Sequence, residues 1–226
     1  MPRGRPPGRT AKSRETQAAL YTAATELFAE RGFGGTTMKA IADRAGVSPG
    51  LLYRYFPGKA AVVLELYRRL SQQLADTELP TGSWTERSVG ALRASMATLS
   101  PHRAVLRSVL SPLLFDDRVG LLSPAGRVPR HQVQRFFVHA VTHAANAPEP
   151  PLAEALGRLA DGLQLLFILF WLIDRSPDQR ATGALLELTA RGVRIVPGLL
   201  WLPGARPTVL QLDGILADAL AAPTSS

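Results

Sequence analysis

TMKAIADRAGVSPGLLYRYFPGK, Thr37 to Lys59, is the stretch that decides how this chain folds. It reads as two short helices joined by a tight turn, with a third helix opening at its end. Ile41, Ala42 and Ala45 give the first helix an apolar face at i, i+1, i+4. Gly46 stops it, because glycine enters the left-handed conformation of such a turn at no steric cost. Val47 follows as an apolar plug. Ser48-Pro49 is a start signal, a hydroxyl N-cap with proline at the first helical position. The second helix is short and carries Leu52 and Phe56 inward at i, i+4. Gly50, Leu51, Tyr53, Arg54 and Tyr55 are left for its outer face and flanks. Helix, glycine-containing turn, helix is the grammar of a helix-turn-helix, whose second helix lies in the DNA major groove.

Upstream, the spacing predicts an amphipathic helix from Arg14 to Arg31, striped by Leu20, Ala23, Ala24, Leu27 and Phe28. Gly32 ends it, and Phe33 supplies the apolar contact that often accompanies a glycine C-cap. Thr37 is the expected N-cap of the next helix, without a capping-box acid, since Ala40 stands three residues on. Residues 1–13 are rich in Pro, Gly and basic side chains and are expected to be disordered. Downstream, a long helix is predicted from Pro57 to about Asp76, striped by Val62, Val63, Leu66, Leu70 and Leu74.

The pattern Thr37, Ile41-Ala42, Ala45-Gly46-Val47-Ser48 and Leu52-Tyr53-x-Tyr55-Phe56-x-x-Lys59 resembles the TetR family of transcriptional regulators. The resemblance is specific over about the first third of the chain and architectural beyond it. It implies an all-α protein: an N-terminal three-helix helix-turn-helix domain and a C-terminal helical domain for ligand binding and dimerisation. The expected divisions are a basic arm at 1–13, the helix-turn-helix domain at 14–58, a connecting helix at 59–79 and the body at 80–226. By the family's contacts, Pro49, Gly50, Leu51, Tyr53, Arg54 and Tyr55 face the groove. Arg54 either reads a guanine bidentately, touches phosphate, or is simply solvated. Leu51 either meets a thymine methyl or packs on the preceding helix. Thr37, Lys39, Tyr53 and Lys59 fit phosphate contacts, which set register rather than sequence.

Within the arm, Pro2-Arg3-Gly4-Arg5-Pro6 resembles the core of an AT-hook. Arg3, Arg5 and Arg9 would enter a narrow minor groove, drawn by its negative potential. The plainer alternative is a basic tail that adds non-specific phosphate attraction.

Charge supports a nucleic-acid partner. The net charge is +8, and residues 1–60 carry ten Lys and Arg against four Asp and Glu. All three lysines fall there. A codon bias toward Arg would account for the rest of the chain but not for this clustering. There is no cysteine, which removes disulfides, zinc knuckles and thiol catalysis. No apolar leader follows the start. The longest apolar run, Leu163 to Ile173, reads as a buried core helix too short for a membrane span. The expectation is a cytoplasmic protein with no membrane association.

After the break at Pro80-Thr81-Gly82-Ser83, helices are expected over 84–99, 102–114, 130–145, 151–173, 177–195 and 208–221, with a long loop over 115–129. The 151–173 helix becomes apolar on every side beyond Leu165, so it must be covered all round. With 177–195, where Ser176 and Gln179 suggest a capping box, it is the expected four-helix seam of a homodimer. A monomer core is the alternative reading.

No phosphate loop or nucleophile elbow appears, so no enzyme and no cofactor is expected. His139 and His143 have metal-ligand spacing on one predicted helix, but no acid completes a site, and no metal is expected. They are read instead, with Phe136 and Phe167, as candidates for a small-molecule pocket. Trp84, Met96, Phe137, Phe170 and Trp171 are further candidate lining, though such a stripe equally describes plain core. The functional expectation is a ligand-released transcriptional repressor on a palindromic double-stranded DNA operator. An architectural DNA binder with little sequence choice is the alternative.

Overall fold

The computed structural model describes residues 7–118, 120–121 and 123–220. Eleven α-helices run through them, with no strand among the described residues. The first is α1 (Pro7–Gly35), followed by α2 (Met38–Ala45), α3 (Pro49–Tyr55) and α4 (Lys59–Ala75). The arm expected to be disordered to residue 13 is helical from Pro7. Proline at the start of a helix forfeits no hydrogen bond. The extension is also tied down: the Ser13 hydroxyl lies 3.0 Å from that of Tyr55. Arg3, Arg5 and the AT-hook-like run lie outside the described residues, and Arg9 sits in the first turn of α1.

Gly32 interrupts α1 at φ 74°, as the C-cap reading expects. The freed carbonyls find a partner the sequence reading overlooked. Buried Thr36 donates its hydroxyl toward the carbonyls of Leu27 and Gly32, at 3.1 and 2.8 Å. Phe33 lies against Phe28, ring centroids 5.3 Å apart.

The body comprises α5 (Trp84–Leu99), α6 (Arg103–Phe115), α7 (Arg127–Thr142), α8 (Leu152–Ile173), α9 (Arg180–Val193), α10 (Val196–Leu199) and α11 (Ala205–Leu220). A capping box opens α5: the Glu86 amide donates to the Ser83 hydroxyl and the Ser83 amide to the Glu86 carboxylate. The capping box expected from Ser176 and Gln179 does not form. Asp178 and Gln179 take left-handed φ values of 50° and 57°, which turns both side chains to other work. Gln179 Oε1 accepts from the Trp171 indole at 2.6 Å, and Ser176 Oγ accepts from the Ala181 amide at 2.9 Å. The cap comes from Asp174, whose carboxylate accepts from the Ser176 amide and from the amide and hydroxyl of Thr182. These hydrogen bonds, Thr182's hydroxyl foremost, hold its carboxyl well below the usual range. The 177–195 helix is accordingly split into a 3-10 turn at Pro177–Gln179 followed by α9.

One apolar core crosses from the head into the body. Leu20, Leu27 and Phe28 of α1, Ile41 of α2, Leu52 of α3 and Val62 and Leu66 of α4 join Val105 and Val109 of α6 and Trp171 of α8. The helix-turn-helix is thus welded to the body through α1, α4 and α6. In the body α7 and α8 approach so closely that a Cβ on Gly157 would stand 2.5 Å from the Val138 Cα. The α8 helix runs 22 residues at a hydropathy of 1.7 in its most apolar window, so by length and composition it is long enough to cross a bilayer. The apolar run beginning at Leu163 understated it, because the helix extends back to Leu152. Its inward side carries two polar residues, Asp161 and Gln164, both buried.

Candidate nucleic-acid interface

The geometry of α2 and α3 follows from their turn. Gly46 adopts φ 66°, which lets the Val47 amide reach back to the Ala42 carbonyl at 3.0 Å. Thr37 Oγ1 caps α2 through the Ala40 amide, and Ser48 Oγ caps α3 through the Leu51 amide. Leu52 and Phe56 are buried, so the inward face of α3 is fixed. Arg44 braces α2 on α1 with a two-pronged ion pair to Glu30, at 2.6 and 2.8 Å. The Arg44 hydrogen bond lowers the Glu30 carboxyl below its ordinary value.

What remains outward on α3 is Pro49, Gly50, Tyr53 and Arg54, all exposed, with Leu51 half-buried beside them. Tyr53 is 52% exposed. Arg54 has no carboxylate within ion-pair distance among the described residues, unlike Arg44. Thr37 and Lys39 are exposed at the start of α2. Thr37, Lys39, Tyr53 and Arg54 are thus exposed polar or cationic groups of the kinds that contact the phosphates and base edges of a duplex.

Two expected contacts sit differently. Tyr55 is half-buried, its ring packed on the head's core and its hydroxyl at Ser13, so it braces α3 against α1. It belongs to the last turn of α3, where the i, i+3, i+4 rule returns a side chain toward the buried face. Lys59 donates to the Phe33 carbonyl at 2.5 Å and lies 4.5 Å from the Phe33 ring centroid. Its ammonium closes the loop after α1 onto the start of α4, a role the sequence pattern does not reveal.

The expected small-molecule pocket is also rearranged. An apolar cavity of about 210 Å³ lies among α4, α5, α6, α7 and α8, lined chiefly by Leu, Val and Ile. Phe136, His139, His143 and Phe167 do not line it. The first three border a separate, open depression with Gln132 and Arg135, and Phe167 is buried in packing. The two imidazoles stack edge to face, centroids 3.9 Å apart, and His143 Nδ1 lies 2.9 Å from the Thr142 hydroxyl. Desolvation, reinforced by His143 and nearby arginines, lowers the His139 pKa. Among the described residues no cluster of three metal-ligating side chains occurs. The cavity escaped sequence reading because aliphatic residues of five helices line it, each indistinguishable from core.

Comparison with known proteins places the head. The family model described as bacterial regulatory proteins, tetR family, matches residues 20–66. Over 102 residues the chain is 34% identical to the HTH-type transcriptional activator FasR of Mycolicibacterium smegmatis, covering 45% of this chain and 40% of that one. Over 89 residues it is 37% identical to the HTH-type transcriptional repressor KstR2 of Mycobacterium tuberculosis, covering 38% and 44%. The chain thus spans less than half the length of these curated relatives. A tetR-family transcriptional regulator from Streptomyces coelicolor superimposes with a TM-score of 0.57 at 23% identity, covering 91% of this chain and 98% of that one. NalD, the secondary repressor of the MexAB-OprM multidrug efflux pump in Pseudomonas aeruginosa, does so at 0.51 and 24%, covering 80% and 97%. At those identities the likeness is one of fold.

Proposed function

We propose that this chain is a cytoplasmic DNA-binding transcriptional regulator of the TetR family of bacterial regulatory proteins, one that recognises a palindromic operator as a homodimer and releases it on binding a small molecule. The observation that carries the reading is α3: its inner face is fixed by Leu52 and Phe56 while Tyr53 and Arg54 stand free on the outer one. Pro49, Gly50, Leu51, Tyr53 and Arg54 are assigned to the groove, and Thr37, Lys39 and Tyr53 to phosphates. Repressor is the expected sign, although the two curated relatives named above carry opposite signs in their descriptions.

The dimer is assigned to α8 and α9. Leu163, Leu166, Phe170 and Ile173 of α8 and Leu188 of α9 are all exposed in the single chain. Apolar residues in that number on two successive helices call for a partner surface, and a self-complementary one yields the two-fold symmetry of a palindrome. With α8 covered in this way, and its Asp161 paired to Arg130 inside the body, the helix has no need of a bilayer.

The test is salt-dependent binding of the full chain to its own upstream DNA and to a scrambled duplex. A preference of about a thousandfold or more is expected of a specific regulator. Equal affinity with one steep salt slope would instead favour an architectural DNA binder.

A further inference from the structure

We propose that the internal cavity takes a small neutral apolar molecule bearing a hydroxyl group, and that a carboxylate ligand is excluded. The inference rests on the effector reading above and names the chemistry of the effector. The wall is aliphatic, but two buried polar atoms on it lack hydrogen-bond partners: the Ser71 hydroxyl of α4 and Gln164 Oε1 of α8. The other end of the Gln164 amide is engaged, donating to the buried Ser95 hydroxyl at 2.7 Å. Gln164 is therefore held in place with its carbonyl oxygen free. A buried polar atom without a partner is costly, so a ligand that donates to Gln164 and accepts from Ser71 supplies partners that the protein itself does not. A hydroxyl has the chemistry for either bond; a ketone cannot donate to Gln164 and a hydrocarbon can make neither.

Charge argues against an acid. Arg130 is the cation on the wall, and it is already committed. Its Nη1 lies 2.7 Å from Asp161 Oδ1, and its Nη2 meets Asp161 Oδ2 in the same pair. A second carboxylate would have to share that one guanidinium with Asp161, leaving two buried carboxylates to a single counter-charge. Size sets the remaining limit. A dry cavity of about 150 Å³ holds benzene, so about 210 Å³ suits roughly eight to ten non-hydrogen atoms on the same scale. The ligand would touch Val63, Leu66 and Ser71 on α4, the helix that follows directly on α3. Occupancy thereby bears on the placement of the DNA-reading element, provided the two states bind it unequally.

The experiment compares octan-1-ol with sodium octanoate at neutral pH on the full chain, by calorimetric titration and by shift of Tm. Octan-1-ol is expected to bind and to raise Tm, with octanoate weaker by at least about tenfold. Replacing both hydrogen-bonding partners, Gln164→Leu with Ser95→Ala, is expected to weaken octan-1-ol by about tenfold, the worth of one hydrogen bond. Ser71→Ala is expected to weaken it by a smaller factor. Should these variants fail to fold, the wild-type comparison decides alone. Octanoate binding as tightly as the alcohol, or no alcohol binding by a chain that still binds its operator, overturns the proposal. Alcohol binding that leaves operator affinity unmoved sustains the ligand class and overturns the effector reading instead.

Discussion

Arg54 and Lys59 carry the same charge at opposite ends of one motif, yet their surroundings assign them different work. Arg54 is exposed on α3 with no carboxylate to hold it, so its guanidinium is available to a base edge. Arg54→Ala should therefore relax preference at one base pair per half-site, by about 1–3 kcal/mol, measured by competition with single-substituted operators. Uniform weakening across all sequences would reassign Arg54 to phosphate. Lys39→Ala should instead weaken every duplex alike and reduce the salt slope by about one. Lys59 is tied to the Phe33 carbonyl and ring. Lys59→Met should lower stability by about 1–2 kcal/mol in urea denaturation and leave the salt slope unchanged; a flattened slope would restore it to the phosphate contacts. At this scale the sequence made the outward-facing residues of α3 legible because residues that fill a core and residues that face water differ in type. Tyr55 is amphipathic and fits either side, and only its neighbour Ser13, far off in sequence, decides.

Helices were legible where local chemistry is self-sufficient and less so where a distant group intervenes. The turn at Gly46 and the caps at Thr37 and Ser48 are satisfied within a few residues, and they stand as the sequence indicates. The start of α9 depends on Asp174, which no short motif couples to Thr182. This cap has a pH signature. The folded pKa of Asp174 lies below the unfolded carboxylate value of about 3.9. Its stabilisation is present above that value and is lost as pH falls below it, since the unfolded chain then binds the extra proton. Asp174→Asn should lower the urea midpoint at pH 7 and narrow the gap between midpoints at pH 7 and pH 3. An unchanged gap would show that other carboxylates govern the acid limb. The α7–α8 contact offers a steric counterpart. Gly157→Ala would press a methyl group on the Val138 backbone, which cannot swing aside as a side chain can. A loss of about 1–3 kcal/mol is expected from denaturation midpoints, against a gain of about 0.5–1 kcal/mol for Gly162→Ala in the interior of the same helix, where nothing lies within 4 Å.

In the whole molecule, α1, α3, α4, α6 and α8 share one core that couples head to body, so in the proposed dimer a change of state would be expressed as a rearrangement between subunits. That places unusual demands on the seam. The sequence pointed to it because α8 becomes apolar on every side, and a single chain leaves Leu166 and Ile173 about two-thirds exposed, at 64% and 65%. Burying a leucine contributes about 1.5–3 kcal/mol, and a two-fold interface counts each substitution twice. Leu166→Glu should then raise the dimer dissociation constant by at least about a thousandfold, read by sedimentation of the full chain. Phe115→Glu is the matched control: Phe115 is still more exposed, at 78%, but belongs to α6, outside the two helices assigned to the seam. It should leave the dimer intact. The Leu166→Glu monomer should keep its helical content, and its affinity for a single half-site, while losing the tight binding that two linked heads confer on a palindrome. A Leu166→Glu chain that sediments like the wild type would move the seam elsewhere, with the exposed Ile195, Leu199 and Trp201 of the α9–α10 region the next surface to charge.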